Sequence, residues 1–268
     1  MKLSDFLKKE GELPLENIVA NGGFCGILRR IACIGDSLAS GEMEGLMDEK
    51  KIYHDMYEYS WGQYLARDTG ATVYNFSKGG MTAKAYLEKF AEEKGFWSAE
   101  YDVQAYIVAL GVNDMARVMD GEMEYGTMAD IHLDDPEKNP HTFIGSYAAI
   151  LSRYRKLQPK AKLFLMTMPS HHMDDELGRL YDRHAETIAE IAALFEGCYV
   201  LDFRKYGPDC NAEFKKTYYL AGHLNPMGYR LMALLVESYI DYLIRHNVDD
   251  FRQIGFVGTP YYNEAEKW

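Results

Sequence analysis

The sequence has few of the features that mark secreted, membrane-bound or nucleic-acid-binding proteins. Its four cysteines form no CxxC pair, and no apolar run approaches the roughly 18 residues that a membrane-spanning helix needs. Charges interrupt the apolar residues of the N-terminal stretch MKLSDFLKKEGELPLEN, which therefore lacks a signal-peptide core. The net charge of −12, from 29 Lys and Arg against 41 Asp and Glu, disfavours nucleic acid or an anionic membrane as main partner. We therefore expect a cytoplasmic protein with reduced cysteines.

Apolar runs with strand character alternate with amphipathic stretches along the 268 residues. The strand candidates are 30–35, 72–76, 104–110, 162–167 and 198–202. The helix candidates are 60–68, 82–93, 142–157, 174–195 and 226–246. The strand candidates are almost continuously apolar, which indicates that both faces of the sheet are covered, as in parallel sheets. The predicted fold is a three-layer α/β/α sandwich with a five-stranded parallel, flavodoxin-like sheet.

The chain offers no repeat or linker that would divide it, so we predict a single domain over residues 1–268. Its core spans 30–246, with an N-terminal extension at 1–29 and a C-terminal tail at 247–268. Both ends carry many apolar residues, which we expect to be ordered on the sheet edge or against a second subunit; we favour a homodimer. The polar segment 118–140 is long for a connection, and we expect it to cap or line a site.

Residues with chemical potential follow the predicted strands, where parallel α/β sheets bind their ligands. The first strand runs into GDSL, which contains Ser37, and the second into NFSKGG, from Asn75 to Gly80. The third runs into GVND, which contains Asn113, and His223 precedes the last helix in GHLNP. Together these residues supply a nucleophile, a base and donors for an oxyanion, which is the set that acyl transfer requires.

These four segments resemble the four conserved blocks of the SGNH (GDSL-type) hydrolase superfamily, in the family's order. GDSL stands at 35–38, Asn75 is followed five residues later by Gly80, GVND stands at 111–114, and His223 is followed by Leu-Asn-Pro. The resemblance covers about residues 30–245. The competing α/β-hydrolase interpretation requires a GxSxG elbow, and no serine of this sequence has that context.

The resemblance implies a role for each residue of the four blocks. Ser37 is the nucleophile and His223 is the base that takes its proton. The oxyanion hole is formed by the backbone N–H of Ser37, the backbone N–H of Gly80 and the side-chain amide of Asn113. Structural alternatives remain open: Ser37 could cap a helix, and Gly80 could serve an ordinary turn.

Two aspartates of the same blocks have structural interpretations. Asp36 is expected to shape the serine turn, and Asp114 to bridge neighbouring loops.

The sequence departs from the family pattern at one position. The family usually carries an aspartate three residues before the histidine, and Leu220 stands there. We therefore expect a Ser-His dyad in which a backbone carbonyl, from Leu220 or Ala221, orients the imidazole of His223. The alternative is a carboxylate recruited from Asp202 or Asp209.

The expected substrate is a small acyl ester, with an acetyl group on a carbohydrate as the preferred case. The acidic charge, the 21 tyrosines and the missing membrane signal favour it. A lysophospholipase or acyl-thioesterase is the first alternative, and would need a long apolar groove beside Ser37. A non-catalytic carbohydrate-binding protein of the same fold is the second. No cofactor or metal is expected, because adjacent His171 and His172 point to different sides and are more typical of a rim loop.

Overall fold

Nine strands form one large and two small sheets in the computed structural model, which describes residues 7, 9–169 and 175–265. The strands are β1 (Arg30–Gly35), β2 (Glu42–Met47), β3 (Lys50–Asp55), β4 (Thr72–Ser77), β5 (Ala105–Ala109), β6 (Lys162–Met166), β7 (Cys198–Leu201), β8 (Tyr219–Leu220) and β9 (His223–Leu224). The central sheet has the order β4-β1-β5-β6-β7, and every pair in it is parallel. This is the flavodoxin-like order, so the predicted fold class is confirmed.

Helices cover both faces of the central sheet. They are α1 (Ser37–Ser40), α2 (Trp61–Thr69), α3 (the consecutive segments Ala83–Ala85, Tyr86–Phe90 and Ala91–Glu93), α4 (Val112–Met119), α5 (Phe143–Leu157), α6 (Glu176–Ala192), α7 (Phe203–Tyr206), α8 (Ala212–Tyr218), α9 (Pro226–His246) and α10 (Val248–Phe251). Within the described residues, no helix has both the length and the apolar character needed to cross a membrane.

Alternating residues of the buried strands supply two separate cores. In β1, Ala32 and Ile34 pack with α3, α5 and α6, whereas Ile31 and Cys33 pack with α2 and α9. Successive side chains of a strand point to opposite faces, so a strand covered on both sides must be apolar throughout. This explains why the five strand candidates were recognisable from the sequence.

The longest helix has the bounds that the sequence predicts. The side chain of Asn225 accepts a hydrogen bond from the N–H of Gly228 at 2.9 Å, which is an N-cap. Pro226 occupies the first helical position, where its missing N–H leaves no bond unmade. Helix α9 therefore begins two residues after the β8–β9 hairpin, which carries His223.

The hairpin formed by β2 and β3 was not predicted. Strand β3 is exposed along almost its whole length, so it lacks the apolar pattern of a buried strand. The two residues at the turn, Asp48 and Glu49, have φ values of 50° and 61°. Two-residue turns with positive φ at both positions usually contain Asn-Gly or Asp-Gly, and Asp-Glu gives no such signal.

The two ends of the chain pack on the core. In the N-terminal segment, the N–H of Phe24 donates to Asp241 on α9 at 2.8 Å, and Glu12 forms two contacts of 2.7 and 2.8 Å with Arg245. The hydrogen bonds from Arg245 lower the pKa of Glu12 to about 2. In the C-terminal segment Phe251 and Ile254 are buried. Several other apolar side chains of the two ends, such as Ile18 and Tyr261, are exposed. The order of both ends and the homodimer stay predictions.

The polar segment 118–140 begins in α4 and then packs on two other helices. The hydroxyls of Tyr125 and Thr187 are 2.8 Å apart, which joins the segment to α6, and the N–H of Phe143 donates to the carbonyl of Glu124. Met123, Met128 and Ile131 pack against the core cluster that contains α5. The segment therefore covers helices α5 and α6, and the expectation that it caps or lines a catalytic site is not supported.

Candidate active site

Ser37 lies in a sharp turn between β1 and α1. A Cβ atom on Gly35 would lie 2.5 Å from the Cβ of Ala39 and 3.1 Å from the carbonyl oxygen of Ala109, so only glycine fits there. The carboxylate of Asp36 accepts a hydrogen bond from the N–H of Leu38 at 3.0 Å and caps α1. Ser37 is therefore the first residue of the helix and not its cap, which excludes the structural alternative for this serine.

The hydroxyl of Ser37 is not committed to any structural contact. The residue is partly exposed, and its Oγ makes no hydrogen bond with a described residue. Its carbonyl oxygen lies 3.4 Å from the hydroxyl of Tyr229. A serine held by its backbone, with a free side chain at the carboxyl edge of a parallel sheet, is placed to react with a bound ligand.

The turn after β4 lies beside the serine turn. The side chain of Asn75 accepts a hydrogen bond from the N–H of Ser77 at 3.0 Å, and the N–H of Lys78 donates to the carbonyl of Gly35 at 3.3 Å. Gly80 has a φ of +71°, a left-handed conformation that favours glycine. The block that contains Gly80 therefore lies beside the block that contains Ser37.

Asn113 ties three loops together from the first turn of α4. Its amide nitrogen donates to the carbonyl of Met81 at 3.1 Å and lies 3.4 Å from Asp36. The side chain of the next residue, Asp114, accepts the N–H of Ala83 at 2.9 Å. Asp114 therefore bridges two loops, as predicted.

Two buried carboxyl groups support this side of the site. Asp36 and Asp114 are both almost fully buried. Burial raises the pKa of each to about 7, because the charged form loses its hydration, and the charge of Asp36 adds to the effect at Asp114. The loops that carry the predicted oxyanion donors are therefore joined by groups shielded from solvent.

His223 lies on the short β8–β9 hairpin, where its ring contacts two glutamates. Its Nε2 is 3.2 Å from Glu42 Oε1, its Nδ1 is 3.7 Å from Glu44 Oε2, and the ring of Tyr53 meets it edge-on at 5.8 Å. Among the described residues, no hydrogen bond joins His223 to Ser37. The structure brings the predicted base to the same region as the nucleophile, but its Nε2 faces a carboxylate.

The prediction that a backbone carbonyl orients the imidazole is wrong. The Nδ1 of His223 is buried and has no hydrogen-bond partner among the described residues, and Glu44 is the charged group beside it. Leu220 pairs with His223 across the hairpin, but its side chain is 50% exposed. Asp202 caps α7 by accepting the N–H of Lys205 at 3.1 Å, so this candidate carboxylate has a structural role.

Glu42 and Glu44 were missed by the sequence reasoning. They are two residues apart on β2, so they share one face, while Met43 between them is buried in the core on the other. The pattern Glu-Met-Glu directly after the GDSL helix was the available signal. Because the register and even the existence of β2 were not predicted, the pattern could not be read as a pair of carboxylates facing one site.

The carboxylate of Glu42 lies between the histidine and the glycine turn. A Cβ atom on Gly79 would be 2.0 Å from Glu42 Oε2, so the carboxylate rests directly on that glycine. Tyr229 donates to the carbonyl of Glu42 at 2.5 Å and thereby links β2 to α9. Burial raises the pKa of Glu42, partly offset by the nearby His223.

The model of one protein family matches most of this chain. The model of the GDSL-like Lipase/Acylhydrolase family matches residues 33–231, a range that includes Ser37, Gly80, Asn113 and His223. The chain belongs to the GDSL-like lipase/acylhydrolase family. The membership confirms the resemblance found in the sequence and the predicted class of enzyme, a serine ester hydrolase.

Solved structures share the fold of this GDSL-family hydrolase at low sequence identity. The acetyl xylan esterase AlAXEase is 18% identical with a TM-score of 0.51, over 78% of this chain and 98% of that one. A family two carbohydrate esterase from Clostridium thermocellum, in complex with cellohexaose, is 16% identical with a TM-score of 0.55, over 89% and 66%. A family 3 carbohydrate esterase from the same organism is 14% identical with a TM-score of 0.51, over 85% and 98%.

These likenesses establish the fold and no more. Among curated proteins, none matches the chain in sequence.

An apolar cavity of about 80 Å³ adjoins the site of this GDSL-family hydrolase. Its walls include chain neighbours of three predicted site residues: Leu38 follows Ser37, Val112 precedes Asn113, and Leu224 follows His223. Met168 and Phe214 complete much of the apolar wall. The cavity is small, and none of its described lining residues comes from the segment 118–140.

No metal site accompanies these residues in the described part of the chain. There, no group of three or more His, Cys, Asp and Glu side chains is placed to hold a metal ion. His171 and His172, the pair considered from the sequence, lie outside the described residues.

Proposed function

We propose that this GDSL-family hydrolase removes a short acyl group, such as acetyl, from a carbohydrate ester, with Ser37 as nucleophile and His223 as base. The observation that carries the proposal is the free hydroxyl of Ser37. The turn around it is fixed by Asp36 and Gly35, yet its Oγ has no hydrogen-bond partner among the described residues. A side chain held in place and left unbonded at the ligand-binding edge of the sheet is suited to attack.

The reaction begins with attack of Ser37 Oγ on the ester carbonyl carbon. His223 Nε2 takes the serine proton and later donates it to the leaving alcohol, which leaves an acyl group on Ser37. Water then attacks the acyl-enzyme, again with His223 as base, and releases the acid. The negative charge on the carbonyl oxygen in both steps is stabilised by the N–H groups of Ser37 and Gly80 and by the amide of Asn113.

The position of His223 adds one step to this sequence. Its Nε2 is next to Glu42, so the imidazole must exchange this carboxylate for Ser37 before it can act as base. The side chains of His223 and Glu42 are each 16% exposed, and their 3.2 Å contact is an ion pair only when His223 is protonated. With a neutral imidazole, one polar contact is exchanged for another, so the net cost is small.

The size of the apolar cavity supports a short acyl group. About 80 Å³ is well below the roughly 300–1,000 Å³ of pockets that take larger ligands, which favours a short acyl group over a fatty acyl chain. A lysophospholipase or long-chain thioesterase would need a much longer apolar groove beside Ser37. The carbohydrate alcohol is chosen because fold neighbours of this chain are an acetyl xylan esterase and carbohydrate esterases.

We place this activity in one domain built on residues 30–246, with 1–29 and 247–268 as its extensions. The cytoplasmic location and the absence of a nucleic-acid partner stay predictions from the sequence.

The test combines covalent labelling with a substrate series. A fluorophosphonate should label the protein at Ser37, and Ser37→Ala should abolish both labelling and hydrolysis of p-nitrophenyl acetate while leaving the fold intact. Ser40→Ala, on the same helix, is the matched control and should stay labelled. Activity should fall as the acyl chain of p-nitrophenyl esters lengthens, and acetylated xylan oligosaccharides should release acetate.

Different outcomes would support the alternatives. A folded protein that fluorophosphonate does not label would favour the non-catalytic carbohydrate-binding protein. Activity that rises up to acyl chains of eight or more carbons would favour the lysophospholipase or thioesterase.

A further inference from the structure

The histidine of the proposed dyad has a buried nitrogen without an evident partner. When Nε2 accepts the serine proton, Nδ1 carries the other proton of the imidazolium and the ring is positively charged. The Nδ1 of His223 is shielded from solvent and has no hydrogen-bond partner among the described residues. The position from which the family usually supplies an aspartate holds Leu220. Something else must stabilise the charge if the dyad is to work.

Glu44 is the group placed to do this. Its side chain is only 4% exposed, and its Oε2 lies 3.7 Å from His223 Nδ1. The same oxygen accepts a hydrogen bond from the N–H of Gly222 at 2.9 Å, so the carboxylate also fixes the loop that carries the histidine. Its other oxygen pairs with Lys51 at 2.5 Å. This contact with Lys51 lowers the pKa of Glu44, which keeps the carboxylate ionised.

The two glutamates near the imidazole are not equivalent. Glu42 faces Nε2, the nitrogen that has to turn to Ser37, so its contact ends when the reaction begins. Glu44 faces Nδ1, so it can remain beside the ring throughout. The other groups near the ring are the edge of Tyr53 and, behind Glu44, the ammonium of Lys51. Glu44 is therefore the one carboxylate among these groups that can accompany the imidazolium through each step.

We propose that Glu44 is the positioning residue of His223 and takes the place of the aspartate that this chain lacks. The proposal rests on the proposed function, since it assumes that His223 is the base. At 3.7 Å the carboxylate acts through its charge and through the loop it holds, and a small movement of the ring would bring Nδ1–H within hydrogen-bond distance. The acid of this site thus comes from β2, immediately after the nucleophile, and not from the histidine loop.

The decisive variant is Glu44→Gln, which removes the charge but keeps an oxygen to accept the N–H of Gly222. We expect kcat/KM for p-nitrophenyl acetate to fall about 10- to 100-fold, less than the ~10⁴ lost with a fully hydrogen-bonded triad aspartate. The acidic limb of the pH–rate profile should move to lower pH, because an imidazolium without a counter-charge loses its proton more readily. Glu49→Gln, at the exposed turn of the same hairpin, is the control and should match the wild type.

A second readout does not depend on activity. In the Ser37→Ala background, the NMR titration of the His223 ring should have its midpoint at lower pH when Glu44→Gln is added. If the wild type is not labelled by fluorophosphonate, the proposed function fails, and the titration still decides whether Glu44 stabilises the imidazolium.

The proposal is overturned if Glu44→Gln leaves the titration midpoint unchanged, or if it lowers kcat with an unmoved acidic limb, which is the behaviour of a merely structural residue. If Glu44→Gln does not fold, Glu44→Asp is the second variant. It keeps the charge but places it about one bond length farther from the ring of His223. The midpoint should then move in the same direction by a smaller amount, and an unmoved midpoint would again overturn the proposal.

Discussion

The two sides of the candidate site are held in different ways. On the serine side, Ser37, Gly80 and Asn113 lie on turns that run directly out of the central sheet, and buried groups such as Asp36 and Asp114 lock these turns together. On the histidine side, His223, the proposed base, lies on a two-stranded hairpin and contacts two glutamates of another two-stranded hairpin.

Isolated two-stranded hairpins are marginally stable, so each of these depends on what it packs against. The comparison indicates that the oxyanion side is fixed by the fold, whereas the base side is set by a few side-chain contacts and can adjust. Variants that alter one side at a time test this difference.

The first prediction concerns the fixed side. Asn113→Ala should lower kcat by about 10²–10³ and change KM little, because its amide serves a charge that exists only in the transition state. Steady-state kinetics on p-nitrophenyl acetate would measure this. If only KM changed, Asn113 would be a substrate contact and the oxyanion assignment would fail.

The second prediction concerns the stability of the same side. The folded state holds the proton of Asp114 up to a pKa of about 7, well above the 3.8 of an ordinary aspartate. Between these values the folded state binds more protons than the unfolded state, so stability falls as pH rises through this range. Asp114→Asn should remove this loss, which is on the order of 4 kcal/mol at about 1.4 kcal/mol per pH unit.

Urea unfolding of the wild type and of Asp114→Asn at pH 4, 6 and 8 would measure the difference. The free energies of unfolding should diverge towards high pH in favour of the variant. Parallel pH dependences would show that Asp114 is charged at neutral pH, and that burial does not govern this carboxyl group.

The third prediction concerns the adjustable side, where the effect is smallest. Glu42→Gln removes the charge that faces His223 Nε2, so kcat/KM should rise by up to about fivefold, the equivalent of a partly exposed ion pair. The rise should be greatest on the acidic limb, where the imidazolium and the carboxylate attract each other. A tenfold fall instead would mean that Glu42 takes part in the reaction.

The sequence was sufficient for the central sheet and for the serine side. The buried strands β1 and β5 are apolar on both faces, and GDSL and GVND follow them at the ligand-binding edge, so pattern and position agree. These features depend on residues that are close in sequence, and local patterns report them well.

The histidine side could be predicted only in part. The sequence shows that His223 precedes Asn225 and Pro226. It also shows that Leu220 stands where the family usually has an aspartate. The sequence does not show that Glu44 is the carboxylate beside the imidazole of His223, because Glu44 lies on an exposed hairpin with an atypical turn. A contact of this kind depends on how separate elements dock, which no local pattern encodes.

The hydrogen bond from Gly222 to Glu44 joins positions that are 178 residues apart in the chain. Contacts between such distant positions require the closure of a long loop, and they are typically among the slower ones to form during folding. The serine turn, by contrast, is complete once β1 and its neighbours have paired. On a growing chain, Ser37 therefore emerges long before His223, and the pair that we propose as catalytic can form only after residue 223 has been made. If these roles are correct, the chain cannot act on an ester for most of its own synthesis.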